Sequence, residues 1–284
     1  MLTSEELAWK ATGLGAGYSG VTLAGDRLFT MGEKGDANFV MALNREDGKL
    51  LWTAQVGKAG APGWGGFAGP RVIPTLDGDL LYAVGQYGEA VCLDTATGKE
   101  VWRKDYIRDF GGKLPEWGYT GMPLVDGEQV ILAPGGPRGN LVALNKKTGD
   151  LVWQSQEFTD GIHYSSPIVV EIGGVRQYIQ LTDASVAGIA AADGRMLWRA
   201  ARKGSVAVIP TFHDVCNPPS GNALNTTSPW GLARYPFSSS RIFSRRAGTR
   251  MARVQSVFIV RMNRSITAML PCWPMAPKRG LILR

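Results

Sequence analysis

The sequence predicts an all-β protein, a partial β-propeller of about four four-stranded antiparallel blades followed by an irregular C-terminal tail. One observation is a glycine four residues before a tryptophan: Gly48 and Trp52, Gly98 and Trp102, Gly149 and Trp153, Gly194 and Trp198. These pairs recur at intervals of 50, 51 and 45 residues. A second is an aromatic followed by two small residues, at Tyr18, Phe67, Tyr119 and Tyr164, standing 34, 35, 34 and 34 residues before those tryptophans. Fixed offsets of this kind mark a repeat architecture. The third is composition: 37 glycines and 16 prolines in 284 residues favour many short strands joined by tight turns over a helical protein.

Each element of a unit follows from alternation and turn chemistry. In the second unit Arg71–Leu76 reads as a first strand, Asp77-Gly78 as a two-residue turn and Asp79–Val84 as a second strand. Asp-Gly tolerates the positive φ values of a type I′ hairpin. Asp126-Gly127, Gly173-Gly174 and Ala24-Gly25-Asp26 hold the same place elsewhere. Ala90–Leu93 is the third strand, and Glu100–Lys104, after the Thr97-Gly98 turn, the fourth. Four antiparallel strands in ~45–50 residues is the size of a propeller blade. The units run over about 10–52, 53–102, 103–153 and 154–198, with a fifth started and carried to 211. Upstream, Glu6-Leu7-Ala8-Trp9-Lys10 reads as the last strand of an earlier unit.

The repeated tryptophans have a structural explanation. A twisted four-stranded sheet cannot cover both apolar faces by itself, so blades stack face to face. An indole near the outer edge, with glycine close by, fills the wedge that opens as blades diverge. Burying one indole removes ~150–250 Å² from water, an upper bound of roughly 4–6 kcal/mol at about 25 cal/mol per Å². Gly48, Trp52, Gly98, Trp102, Gly149, Trp153, Gly194 and Trp198 are therefore expected to dock blades together.

The pattern Ala/Val-x-Leu-Asp/Asn-x-x-Thr/Asp-Gly-x-x-x-Trp resembles the tryptophan-docking repeat of the pyrroloquinoline-quinone-like (PQQ-like) β-propeller proteins. That superfamily includes quinoprotein alcohol dehydrogenases and the outer-membrane assembly lipoprotein of the β-barrel machinery. The resemblance spans about residues 7–211. Pro62-Gly63-Trp64-Gly65-Gly66-Phe67, Leu114-Pro115-Glu116-Trp117-Gly118 and His163-Tyr164-Ser165-Ser166-Pro167 are similar to segments of bacterial members with no assigned enzymatic role. It implies a ring of seven or eight blades, of which this chain is an open half, and a periplasmic or extracytoplasmic setting. It implies a non-catalytic binding or assembly scaffold; the alternative is a fragment of a PQQ-dependent alcohol or sugar dehydrogenase. PQQ and Ca²⁺ are expected only under that alternative, which calls for adjacent cysteines and a carboxylate and amide set that no residues here match. No cofactor, catalytic residue or metal ligand is assigned.

Val208-Ile209-Pro210-Thr211 repeats Val72-Ile73-Pro74-Thr75, but no Gly-x-x-x-Trp follows. Eleven of the 31 basic residues and one of the 24 acidic residues fall after Thr211, so the net charge of +7 belongs to the tail. Three readings stand for 212–284: a shifted reading frame, a disordered basic extension, or a small separate domain. The break inside a unit favours the first. Nucleic acid is accordingly not an expected partner.

Cys92, Cys216 and Cys272 have no close spacing, so they give neither a disulfide framework nor a zinc site. No run of ~18 apolar residues is present, and no membrane span is expected. The first residues lack the basic and apolar regions of a secretory signal. Repeat register gathers Trp64, Phe67, Arg71, Glu116, Trp117, Tyr119, His163 and Tyr164 into a candidate cluster at a channel mouth, where a protein or small-molecule ligand would bind; the competing reading is that they cap blade edges. Uncovered faces of the end blades are expected to allow self-association.

Overall fold

The computed structural model describes residues 8–63, 67–204 and 208, together with the backbone of 257–260 and 280–283. A short strand β1 (Trp9–Ala11) precedes four four-stranded antiparallel meanders. The first blade is β2 (Val21–Ala24), β3 (Arg27–Lys34), β4 (Ala37–Asn44) and β5 (Leu50–Lys58). The second is β6 (Thr75–Asp77), β7 (Leu80–Val84), β8 (Glu89–Asp94) and β9 (Glu100–Asp105). After a five-residue helix α1 (Tyr106–Phe110) comes the third, β10 (Leu124–Asp126), β11 (Gln129–Leu132), β12 (Val142–Asn145) and β13 (Leu151–Gln154). The fourth is β14 (Ile168–Ile172), β15 (Val175–Leu181), β16 (Ser185–Ala190) and β17 (Met196–Ala201). First strands adjoin, β2 against β6 and β6 against β10, which puts them on the inside of the stack.

The first strand of the second blade is shorter than expected. Arg71–Pro74 stays outside the ladder and β6 starts at Thr75. Proline has no N–H to give a neighbouring strand, and Pro74, Pro123 and Pro167 each stand immediately before a first strand. Hairpin turns fall where Asp-Gly and Gly-Gly place them, with Gly78 at φ 57° and Gly127 at φ 59°. Helix α1 was not expected. Asp105 caps it by accepting from the N–H of Ile107 and Arg108 at 2.9 and 2.8 Å, and Gly111 ends it in the left-handed region at φ 67°.

In the first three blades one cross-strand row faces the following blade, Phe29, Ala42 and Trp52; Tyr82, Cys92 and Trp102; Ile131, Ala143 and Trp153; the fourth blade carries the equivalent row Ile179, Gly188 and Trp198. Each tryptophan reaches its row through a β-bulge. Leu43 pairs with Leu50 and Ala42 with Trp52, leaving Leu51 as the extra residue; Val101, Val152 and Leu197 hold the same place. Residues two apart on a strand normally share a face, and the bulge turns the indole to the other one.

One hydrophobic cluster runs through the four blades, from Phe29 and Ala42 to Tyr178 and Ile189. The backward face of the first blade forms a separate small cluster, Leu28 and Leu43 with Ala11, against which Trp9, Leu14 and Val21 pack. β19 (Gly280–Leu283) runs antiparallel to β1, and β18 (Val257–Val260) runs parallel to β19. The rest of the sequence after Val208, with His213, Cys216 and Cys272, lies outside the described residues, as does Trp64. Among the described residues no helix is long and apolar enough to cross a membrane.

Candidate functional site

The repeated tryptophan and glycine belong together across units. Trp52 lies on Gly98 of the second blade, Trp102 on Gly149 of the third, Trp153 on Gly194 of the fourth, and Trp9 on Gly48 of the first. In each case the indole Nε1 donates to the carbonyl three residues before that glycine: Arg45 at 2.7 Å, Thr95 at 3.1 Å, Lys146 at 3.0 Å and Ala191 at 3.2 Å. The glycine is required twice. A Cβ on Gly149 would stand 2.8 Å from Trp102 Cγ, and the backbone there has φ 75°. Trp198 departs from the pattern. It lies over Gly188 of its own blade, and its Nε1 donates to Gln177 Oε1 at 2.7 Å.

Polar groups tie the same junctions. Arg176 of the fourth blade donates to both oxygens of Asp126 of the third, at 2.9 and 2.5 Å, and the Tyr178 hydroxyl donates to Asp126 Oδ2 at 2.8 Å. The Arg176 guanidinium, helped by Tyr178, holds the Asp126 carboxyl below the usual carboxylate range. Lys146 bridges to Asp77, the equivalent turn residue one blade earlier, at 2.8 Å. Cys92 is buried and free, and burial pushes its thiol up to about 12.

The residues expected at a mouth fall into two aromatic groups, with Tyr119 outside both. Trp117 and Tyr164 stack with centroids 5.5 Å apart and planes 20° apart, and the Trp117 N–H donates to the Tyr164 hydroxyl at 3.3 Å. His163 meets the Tyr164 ring edge-on at 5.6 Å; its Nε2 lies 3.5 Å from Asp183, and its buried Nδ1 has no hydrogen-bond partner among the described residues. Phe67 packs edge-on against Tyr18 at 5.9 Å and remains 46% exposed. Arg71 lies 5.6 Å over the Tyr18 ring and donates to the carbonyls of Phe67 and Gly69 at 2.8 and 3.3 Å. Burial lowers its guanidinium pKa, against the pull of Tyr18, Tyr164 and Glu33. Glu116 is exposed at the edge of this group. Tyr119 stands apart: it is 2% exposed, its hydroxyl donates to the Pro134 carbonyl at 3.0 Å, and its ring meets Tyr106 at 4.9 Å.

The repeat register missed Tyr18, which bridges Phe67 and Arg71, although it starts the first unit as Tyr164 starts the fourth. Chemically the cluster offers flat aromatic surface and one half-buried cation. Among the described residues no three His, Cys, Asp or Glu side chains converge on a metal position, and the described cysteine is enclosed in a blade junction.

A sequence profile of the family described as outer membrane protein assembly factor BamB matches residues 37–208, more than half of the chain. The outer membrane protein assembly factor BamB of Kangiella koreensis is 27% identical over 191 residues, 63% of this chain and 42% of the relative. The quinoprotein alcohol dehydrogenase PedH of Pseudomonas putida is 37% identical over 90 residues, 31% of this chain and 13% of that enzyme. The chain spans less than half the length of these curated relatives. Among solved structures, BamB from Moraxella catarrhalis aligns with TM-score 0.41 at 19% identity over 69% of this chain and 65% of that one. Quinohemoprotein alcohol dehydrogenase from Comamonas testosteroni aligns with TM-score 0.45 at 16% identity, over 68% and 36%.

Proposed function

Because the chain belongs to the family of the outer membrane protein assembly factor BamB, we propose that it is a non-catalytic β-propeller scaffold that binds a protein partner in outer-membrane assembly. The observation that carries the reading is a pair of aromatic groups on the segments that lead into the blades, Tyr18 with Phe67 and Arg71, and Trp117 stacked on Tyr164. Aromatic rings and arginine are the side chains that dominate protein interfaces. A half-buried guanidinium over the Tyr18 ring suits an extended chain carrying aromatic and acidic groups. A periplasmic setting is part of this reading.

The test is a fluorescence titration of the full chain with an outer-membrane β-barrel protein diluted from denaturant. Saturable quenching is expected, with about tenfold weaker binding for Arg71→Ala, a loss of about 1.4 kcal/mol. Absence of binding, or binding untouched by both Arg71→Ala and Trp117→Ala, overturns the reading.

The second reading, a fragment of a PQQ-dependent alcohol or sugar dehydrogenase, draws on the 37% identity to PedH over 90 residues. PQQ with Ca²⁺, an alcohol or sugar, and a redox dye separate the two. Dye reduction by the chain would establish the enzyme, and its absence alongside binding of the unfolded barrel would favour the scaffold.

A further inference from the structure

We propose that the turn end of the blades, opposite the aromatic groups, is a docking surface for a protein partner whose face sets basic side chains beside large apolar ones. The meander decides which turns share an end. Those between first and second strands lie beside those between third and fourth strands: the N–H groups of Arg45, Thr95, Lys146 and Ala191 donate to the carbonyls of Asp26, Asp79, Glu128 and Arg176. The segments carrying Tyr18, Phe67, Trp117 and Tyr164 precede the first strands and enter from the other end.

Exposed apolar side chains gather at the turn end. Among the described residues ten large ones are exposed, and all but Phe67 and Ile107 lie within two residues of these turns. Single exposed apolar residues are ordinary, whereas a collection on one surface marks an interaction site. Leu50 and Leu51, Val101, and Leu151 and Val152 open the fourth strands of successive blades. Leu51, Val101 and Val152 are the extra residues of the bulges. A bulge needs an extra residue, but a polar one would serve as well. Ile172 and Val175 pair across the hairpin of the fourth blade and are 53% and 45% exposed. Neighbouring turns are joined by Arg27, which donates to the Thr95 carbonyl at 2.9 Å, by Lys146 with Asp77 and by Arg176 with Asp126, so the turns of the four blades form one continuous surface.

The charge of this end selects the partner. Residues 24–27, 44–49, 77–79, 94–99, 126–128, 145–150, 171–176 and 190–195 hold eleven acidic and eight basic side chains. Much of the basic share is engaged already: Lys146 with Asp77 and Glu128, Arg176 with Asp126, and Lys49 with Asp47. Glu46, Asp79, Asp150 and Glu171 are exposed and form no ion pair with a described residue. Asp150 and Glu171 stand directly before the exposed Leu151 and Ile172. A partner with lysine or arginine beside large apolar groups satisfies both features. An anionic lipid surface meets the apolar side chains but is repelled by the carboxylates.

This surface does not depend on the scaffold reading. Its residues are separate from the aromatic groups, and one partner at each end can be held at the same time.

The probe is a fluorescent synthetic peptide of leucine and lysine, with a leucine and glutamate peptide of equal length as control, titrated with the full chain and read by anisotropy. Saturable binding of the lysine peptide is expected, about tenfold weaker for Leu50→Ser with Leu51→Ser and for Leu151→Ser with Val152→Ser. Ile107→Ser, equally exposed at the other end, should leave it unchanged. Should a serine pair unfold the chain in urea titrations, Asp79→Asn with Glu171→Gln takes its place, with about threefold weaker binding expected at low salt. No binding, equal binding of the glutamate peptide, or indifference to all of these turn-end substitutions overturns the proposal. So does the same loss with Ile107→Ser. Co-sedimentation with phosphatidylglycerol vesicles that the serine pairs abolish would make lipid the occupant, and a dimer that they dissolve would make it a second copy; either result overturns the proposal too.

Discussion

Trp102 and Trp198 occupy the same position of the same repeat, yet they live in different surroundings. Trp102 is 7% exposed, its ring tilted against Tyr82 at 6.0 Å and its N–H hydrogen-bonded into the third blade. Trp198 is half-buried and folds back on Gln177 of its own sheet. The motif supplies one side of a contact, and the unit after it supplies the other. Burial energy in a repeat stack therefore belongs to junctions, as expected when stability is a sum of units and nearest-neighbour interfaces.

The sharpest way to break that comparison is truncation at both places. Trp102→Ala is expected to cost about 3–5 kcal/mol, the range for large aromatic deletions in cores, while Trp198→Ala in dilute monomer costs about 1 kcal/mol or less. Urea unfolding reads both; equal losses would mean that the indole stabilises its own blade and the junction adds nothing.

Next in size is the glycine side. Gly149→Ala puts a Cβ against the Trp102 ring at a backbone with φ 75°, and a loss of about 2–3 kcal/mol is expected from crowding and backbone strain. Gly78→Ala has φ 57° and nothing within 4 Å, so strain alone remains, about 1 kcal/mol. Combining Gly149→Ala with Trp102→Ala should relieve the crowding part, which a double-mutant cycle detects as coupling.

The smallest effect is electrostatic. Asp126→Asn is expected to cost about 1–2 kcal/mol at neutral pH through weaker bonds from Arg176 and Tyr178, the former half-exposed and screened by solvent. Since Asp126 has its pKa lowered from 3.8 in the fold, its contribution is complete above that value and fades as pH falls through the lowered pKa. Stability curves of wild type and Asp126→Asn should therefore converge in acid. Curves that stay parallel would remove the carboxylate from the third junction.

The fold was legible because tryptophan, glycine and turn residues repeat at fixed spacing, and each has a local reason to be where it is. Three things were hidden. The partner of each tryptophan is the glycine of the following unit, although the nearest glycine in sequence stands four residues before it; spacing within a repeat cannot tell the two apart. Arg71–Leu76 alternated well enough to read as a strand, but proline removed the donors that the ladder needs. Helix α1 is a single turn held by Asp105 and Gly111, too short for periodicity to register. Of the candidate residues, Trp117 stacks on Tyr164 and Arg71 donates to the Phe67 carbonyl, in two groups that repeat register did not distinguish. Tyr119 belongs to the interior because its hydroxyl finds the Pro134 carbonyl, a contact between segments that only the folded chain reveals.

The bulge before every tryptophan has a consequence for folding fidelity. A hairpin between the third and fourth strands that mispairs by one residue would send the indole to the wrong side of the sheet. With the extra residue fixed at Leu51, Val101 and Val152, only one alignment delivers ring and carbonyl together. The bulge is thus a proofreading device: a blade that has slipped cannot recruit the next one, and the error stops at the unit where it arose.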